Sequence, residues 1–187
     1  MTKNKSLIAV LAASALTLAC GSGSAHGASS SSSGSEAHAP LTEAQTVDVL
    51  TTINHAEIEL ARMVDARATS AGAHEMAQMM ITQHTEAQGQ IDAWAHDASV
   101  TPAPNEVSST LVHHVAGVRE RLQSANDTDV GHAYLESQVS MHHDALGLID
   151  DRMMPGAHDP AFRELLTQLR AAVAAHMAHA QHLIDAS

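Results

Sequence analysis

Four stretches of this chain carry an apolar seam at alternating steps of three and four residues, and each seam is broken by a polar residue near its middle. That spacing puts the seam along one stripe of an α-helix, so four long amphipathic helices must bury their stripes against one another. From Ala73 to Ala98 the stripe is Ala73, Ala77, Met80, His84, Ala87, Ile91, Trp94 and Ala98, with His84 halfway along. The preceding stripe is Val47, Leu50, Asn54, Glu57, Ala61, Val64 and Ala68, and its central two members are polar. The third is Leu135, Val139, His142, Leu146, Ile149 and Met153; the fourth is Phe162, Leu166, Leu169, Val173, His176, Ala180 and Leu183. Mid-length residues of packed helices share one layer whichever way each helix runs. The sequence therefore predicts a buried layer of Glu57, His84, His142 and His176, with Asn54 one turn before Glu57.

Capping signals set the boundaries. Thr42 with Gln45 three residues on is a capping box, Ser70 can cap the second helix, and Pro102 and Pro104 lie in the break after it. A shorter helix from about Glu106 to Ser124 offers Leu111, Val115, Val118 and Leu122. Asn126 or Asp127 opens the next helix, Pro155-Gly156 stops it, and Asp159-Pro160 starts the last. The aromatic residues are only Trp94, Tyr134 and Phe162, so the core of this single domain must be aliphatic, Met and Ala.

Leaving the polar layer unpaired is excluded by magnitude. Each buried polar group without a partner costs about 1 to 3 kcal/mol, against a whole-domain stability of roughly 5 to 15 kcal/mol. Two solutions remain. Three neutral imidazoles and a carboxylate suit one transition-metal ion, Zn, Cu or Fe. Alternatively, Glu57, Asn54 and the imidazoles hydrogen-bond one another and a buried water. Met80 lies one turn before His84 and His179 three residues after His176, which makes them, with Asn54, the candidates to support such a site. His179 and His182 fan onto an adjacent face, and His113-His114 and His142-His143 are each expected to have one inward and one outward member.

Residues 1–40 read as targeting and tether. MTKNK is a positive n-region, SLIAVLAASALTLA a short apolar stretch, and Leu16-Thr17-Leu18-Ala19-Cys20 resembles a bacterial lipobox. Residues 1–19 are thus expected to be a lipoprotein signal peptide, with Cys20 the lipidated residue. Cys20 is the sole cysteine, so a disulfide is excluded. Residues 20–40 continue as a Ser- and Gly-rich tether, and residues 41–187 form the bundle. Gly21 follows Cys20 where an inner-membrane retention signal would carry Asp, which favours the periplasmic face of an outer membrane if the cell has one.

Charge narrows the partners. The net charge is −12, and loss of Lys3 and Lys5 with the leader leaves seven Arg against 21 acidic residues, 7 − 21 = −14. A surface that acidic excludes nucleic acid, which is bound by basic groups that displace counterions. The membrane, reached through lipidated Cys20, is the expected partner. The sequence names no protein partner.

Asn54-x-x-Glu57-Ile58, Ala77-x-x-Met80-x-x-x-His84, Tyr134-Leu135 with His142 eight positions after the Tyr, and His176 with Ala180 and Leu183 together resemble the bacterial envelope proteins of the domain-of-unknown-function family DUF4142. The resemblance covers about Leu41 to Leu183. It implies an all-α, ferritin-like four-helix bundle of two hairpins, with the short extra helix in the crossover. A di-iron carboxylate centre takes Glu-x-x-His pairs from the bundle helices, and none of the ten Glu here has His three residues later, so a di-iron centre is disfavoured. The leading reading is a membrane-tethered envelope lipoprotein whose domain binds a single metal ion through the mid-bundle layer. Its rival is a metal-free structural or interaction module whose polar layer fixes helix register. Hydrolytic catalysis lacks a positioned nucleophile, and an enzyme using the metal ranks third.

Overall fold

The computed structural model describes residues 39–187, so the leader, Cys20 and most of the tether lie outside the described residues. Five helices form: α1 Glu43–Asp65, α2 Ala71–Asp97, α3 Glu106–Ser124, α4 Val130–Leu148 and α5 Pro160–Asp185. Among the described residues there is no strand, and no helix is long and apolar enough to cross a membrane. The fold class is an all-α helical bundle. Helix α1 packs chiefly on α2 and α4 on α5, while α3 connects the two hairpins and rests on α1 and α4.

The caps form as the residues demand. Thr42 and Gln45 make the reciprocal capping box of α1, Ser70 accepts from the Ala73 amide at the start of α2, and Asp159 accepts from the Phe162 amide with Pro160 at the first helical position. The start of α4 differs from expectation. The Asn126 side chain accepts from the amides of Thr128 and Asp129, which spends it on a turn, and the helix begins only at Val130. Its other end differs too. Instead of running as α-helix to Pro155, the chain widens into a π turn at Ile149–Met153 and tightens into a 3₁₀ turn at Met154–Gly156.

The core is two apolar clusters with the polar layer between them. Leu60, Val64, Met76, Met80, Val118, Leu122, Tyr134 and Ala180 belong to one; Val47, Leu50, Ile91, Ile149, Met153, Phe162 and Leu166 belong to the other. On every long helix the residues of one cluster lie before the layer and those of the other after it. Trp94 closes the second cluster, stacked on Phe162 with ring centroids 3.9 Å apart while its indole N–H donates to Asp159.

Candidate metal centre

Each long helix delivers one polar side chain, at the point where its stripe turns inward, to a common depth. His84, His142 and His176 meet there, 5 %, 2 % and 4 % exposed, with ring centroids 5.2 to 5.9 Å apart. Each offers one nitrogen, and the three nitrogens lie within 4.8 Å of one another.

The partners of these rings assign their protons. Gln88 donates through Nε2 to the Asp92 carboxylate at 2.7 Å and to Thr51, so its Oε1 faces Asn54 and accepts from Asn54 Nδ2 at 3.1 Å. Asn54 Oδ1 must then accept from Nδ1 of His84 at 2.8 Å, leaving a lone pair on Nε2. That Nε2 is buried and has no hydrogen-bond partner. His142 donates from Nδ1 to the backbone carbonyl of Gln138 at 2.9 Å, which again leaves the lone pair on Nε2. His176 lies with Nε2 2.7 Å from Oε1 of Gln83 and Nδ1 3.3 Å from Nε2 of His142, so its proton sits either on Nε2, donated to Gln83, or on Nδ1, donated to His142. With the His176 proton on Nε2, each of the three rings keeps one lone pair while its other nitrogen donates to a carbonyl oxygen. That is the outer-shell arrangement of metal-bound histidines. The 3.3 Å between Nε2 of His142 and Nδ1 of His176 matches the roughly 3.3 Å between two nitrogens each about 2.0 to 2.1 Å from a tetrahedral ion, and the His84 nitrogen lies within 4.8 Å of both.

Electrostatics keep the rings neutral, as metal ligands must be. Burial pushes His84 down to about 3, helped by its two imidazole neighbours. Burial also lowers His142 to about 4 against the opposing bond to the Gln138 carbonyl, and lowers His176 to about 4 together with His142 and His179. Glu57, 2 % exposed, is pushed up to about 7 by burial, while the bond from Gln138 holds it down.

A family model described as a domain of unknown function, DUF4142, matches residues 28–183. The chain belongs to the DUF4142 family. No curated protein and no solved structure matches it.

In this DUF4142 chain Glu57 stands beside the nitrogen triangle and not inside it: Oε1 is 4.0 Å from Nδ1 of His142, the nitrogen turned away from the other rings, and Oε2 accepts from Gln138 Nε2 at 2.9 Å. Asn54 orients His84 as described. Met80 is buried in the first apolar cluster, and His179 lies on the flank with Nε2 3.2 Å from Oε1 of Glu75. His143 is exposed as expected, but His113 and His114 are both exposed, because Val115 and Val118 take the inward positions of α3.

Sequence reasoning missed Gln138, Gln83 and Gln88. Gln138 is fully buried one helical turn before His142, and that i−4 position next to a seam histidine was the available signal. Gln88 stands one turn after His84 and gives the same signal. Gln83 sits on the exposed side of α2, and nothing in its spacing marks it.

Proposed function

We propose that this chain is a membrane-tethered lipoprotein of the cell envelope whose bundle binds one transition-metal ion through Nε2 of His84, Nε2 of His142 and Nδ1 of His176. The observation that carries the reading is the buried, unpartnered Nε2 of His84 on a ring clustered with His142 and His176, one nitrogen of each within 4.8 Å of the others. Neutral imidazoles suit Zn²⁺, Cu²⁺ or Fe²⁺. Three protein ligands leave a further coordination position, and a cation there would favour the ionised form of Glu57 and so offset part of its charge. Anchoring rests on Leu16 to Cys20 and on the Ser-rich stretch that follows.

A second reading has its own support. If the Gln83 amide turns to donate to His176 Nε2, then His176 Nδ1 carries the proton and donates to His142, and the layer is a metal-free network that fixes register between two apolar clusters. The two readings part on metal content. Chain purified without added metal and titrated with Zn²⁺, Cu²⁺ or Fe²⁺ is expected to take up one ion and to gain about 2.7 kcal/mol of stability at free metal 100 times Kd. No uptake and an unshifted unfolding midpoint with all three metals would overturn the metal reading.

A further inference from the structure

Helix α3 lies across α1 and α4, which scarcely touch one another, and a pocket of about 320 Å³ remains under it. Its walls are Ile53 and Ala56 of α1, Leu111 and Val115 of α3, and Ala145 and Leu148 of α4. Ala56 and Ala145 are short, so neither α1 nor α4 closes the gap between them at these positions. The pocket opens to solvent past Thr110, His114 and Asp144, all three exposed. Its volume falls at the lower end of the roughly 300 to 1,000 Å³ of small-molecule sites, which likewise combine apolar walls with a few polar groups.

Charge selects the occupant. Glu57 and Asp144 are the acids that line the pocket, and among the described residues no Arg or Lys does. Asp144 stands at the mouth, and its carboxylate makes no hydrogen bond or ion pair among the described residues. The net charge of −12 adds to the negative potential there. A carboxylate or phosphate head would meet like charge with no cation to receive it. A protonated amine meets Asp144 instead, and at the mouth it keeps its hydration while the rest of the molecule covers apolar surface. Turned inward toward Glu57, the same head would lose that hydration to the walls.

We propose that this pocket binds a small organic amine, a free alkyl- or arylalkylamine whose apolar body lies along α1, α3 and α4 and whose ammonium pairs with Asp144. The site goes beyond the metal reading and makes no use of the imidazole nitrogens.

The test is calorimetric titration of the chelator-treated full chain at pH 8 with octylamine, 1-octanol and octanoate, which share a body and differ in the charge of the head. A primary amine, like a lysine side chain, stays protonated at that pH. One site is expected, with octylamine bound about tenfold tighter than octanoate, because attraction and repulsion at one exposed carboxylate are each worth about threefold. Asp144→Asn should weaken octylamine about threefold and change 1-octanol by less than about twofold. Ala145→Leu, which fills the pocket from α4, should weaken all three about tenfold or more. Methyl chemical shifts of Ile53, Val115 and Leu148 should move on addition of octylamine, and they locate the site even if Ala145→Leu does not fold. Absence of binding, octanoate bound as tightly as octylamine, an octylamine affinity unchanged by Asp144→Asn, or shifts confined to other methyls would overturn the proposal. Titration with Zn²⁺ alone, without any of the probes, judges the metal reading separately.

Discussion

Nε2 of His142 and Nδ1 of His176 face each other at 3.3 Å, too close for two lone pairs with nothing between them. A proton or a cation must bridge the gap. Which of them does so decides whether the layer is a ligand set or a closed network, and the other partners of both rings make the choice observable.

The proton on His176 should move when metal binds. In the metal-free chain Nδ1 of His176 is expected to carry the proton and donate to His142; with Zn²⁺ the proton should be on Nε2, donated to Gln83. Nitrogen chemical shifts of the labelled imidazoles read this directly. Identical tautomers with and without Zn²⁺ would contradict the arrangement.

Ligands and supports should separate by variant. His84→Ala and His142→Ala should drop metal stoichiometry well below one, while His143→Ala and His179→Ala should leave it near one. Asn54→Leu keeps all three ligands but strands Nδ1 of His84. It is expected to weaken metal affinity about 10- to 100-fold and to cost about 1 to 3 kcal/mol of stability. Metal analysis with denaturant titration checks both.

Acid should destabilise the metal-free fold. The three imidazoles are depressed to about 3 to 4 in the folded chain, against about 6.5 unfolded, so the unfolded state binds more protons as pH falls below 6.5. Stability is then lost between about pH 6.5 and 4, by at most about 1.4 kcal/mol per pH unit for each imidazole. Glu57 has the opposite sign: raised to about 7, its contribution is present at low pH and lost as pH rises from about 4.5 to 7. Glu57→Gln should therefore steepen the acid side and stabilise the chain at pH 7. Denaturant midpoints measured from pH 7.5 to 4.5 test this, and a flat curve for the unaltered chain would mean the imidazoles are not buried together.

The proposed anchoring depends on one thiol. Cys20→Ser should abolish lipid labelling and release the chain from membranes or leave it unprocessed. Mass spectrometry and fractionation check it, and unchanged membrane retention and mass would remove the lipoprotein reading.

Gly156 should tolerate no side chain. A Cβ there would stand 1.8 Å from the Leu41 carbonyl oxygen, so the backbone must move. Gly156→Ala is expected to cost about 3 kcal/mol or more in thermal or denaturant unfolding, at the upper end of overpacking effects.

Helix stripes were legible because burial repeats every three or four residues, and seam members from Val47 to Ala68 are all buried in the structure. Burial of Glu57 beside the clustered imidazoles follows from mid-length position alone. What the spacing could not show was orientation. The spacing makes Val139 the seam residue between Leu135 and His142, yet the structure buries Gln138 fully and leaves Val139 partly covered, because Gln138 must reach Glu57. The choice between Glu57 inside and beside the nitrogens is a matter of ring rotation, to which residue spacing is blind. The π turn at Ile149–Met153 is hidden for a related reason: it changes which carbonyl each amide meets while Ile149 and Met153 stay buried.

The contact that forbids a side chain at Gly156 also has a mechanical meaning. Leu41 is buried, its amide donates to the Arg152 carbonyl at 2.8 Å, and its own carbonyl lies against Gly156. Arg152 and Gly156 belong to the turns that join α4 to α5. Tension applied to the polypeptide ahead of Leu41 is thus delivered to the joint between the second pair of helices before it can peel α1 away. Under the proposed anchoring at Cys20, every collision of the free body would pull there, and the pull would fall on turns that follow four helices later in the sequence.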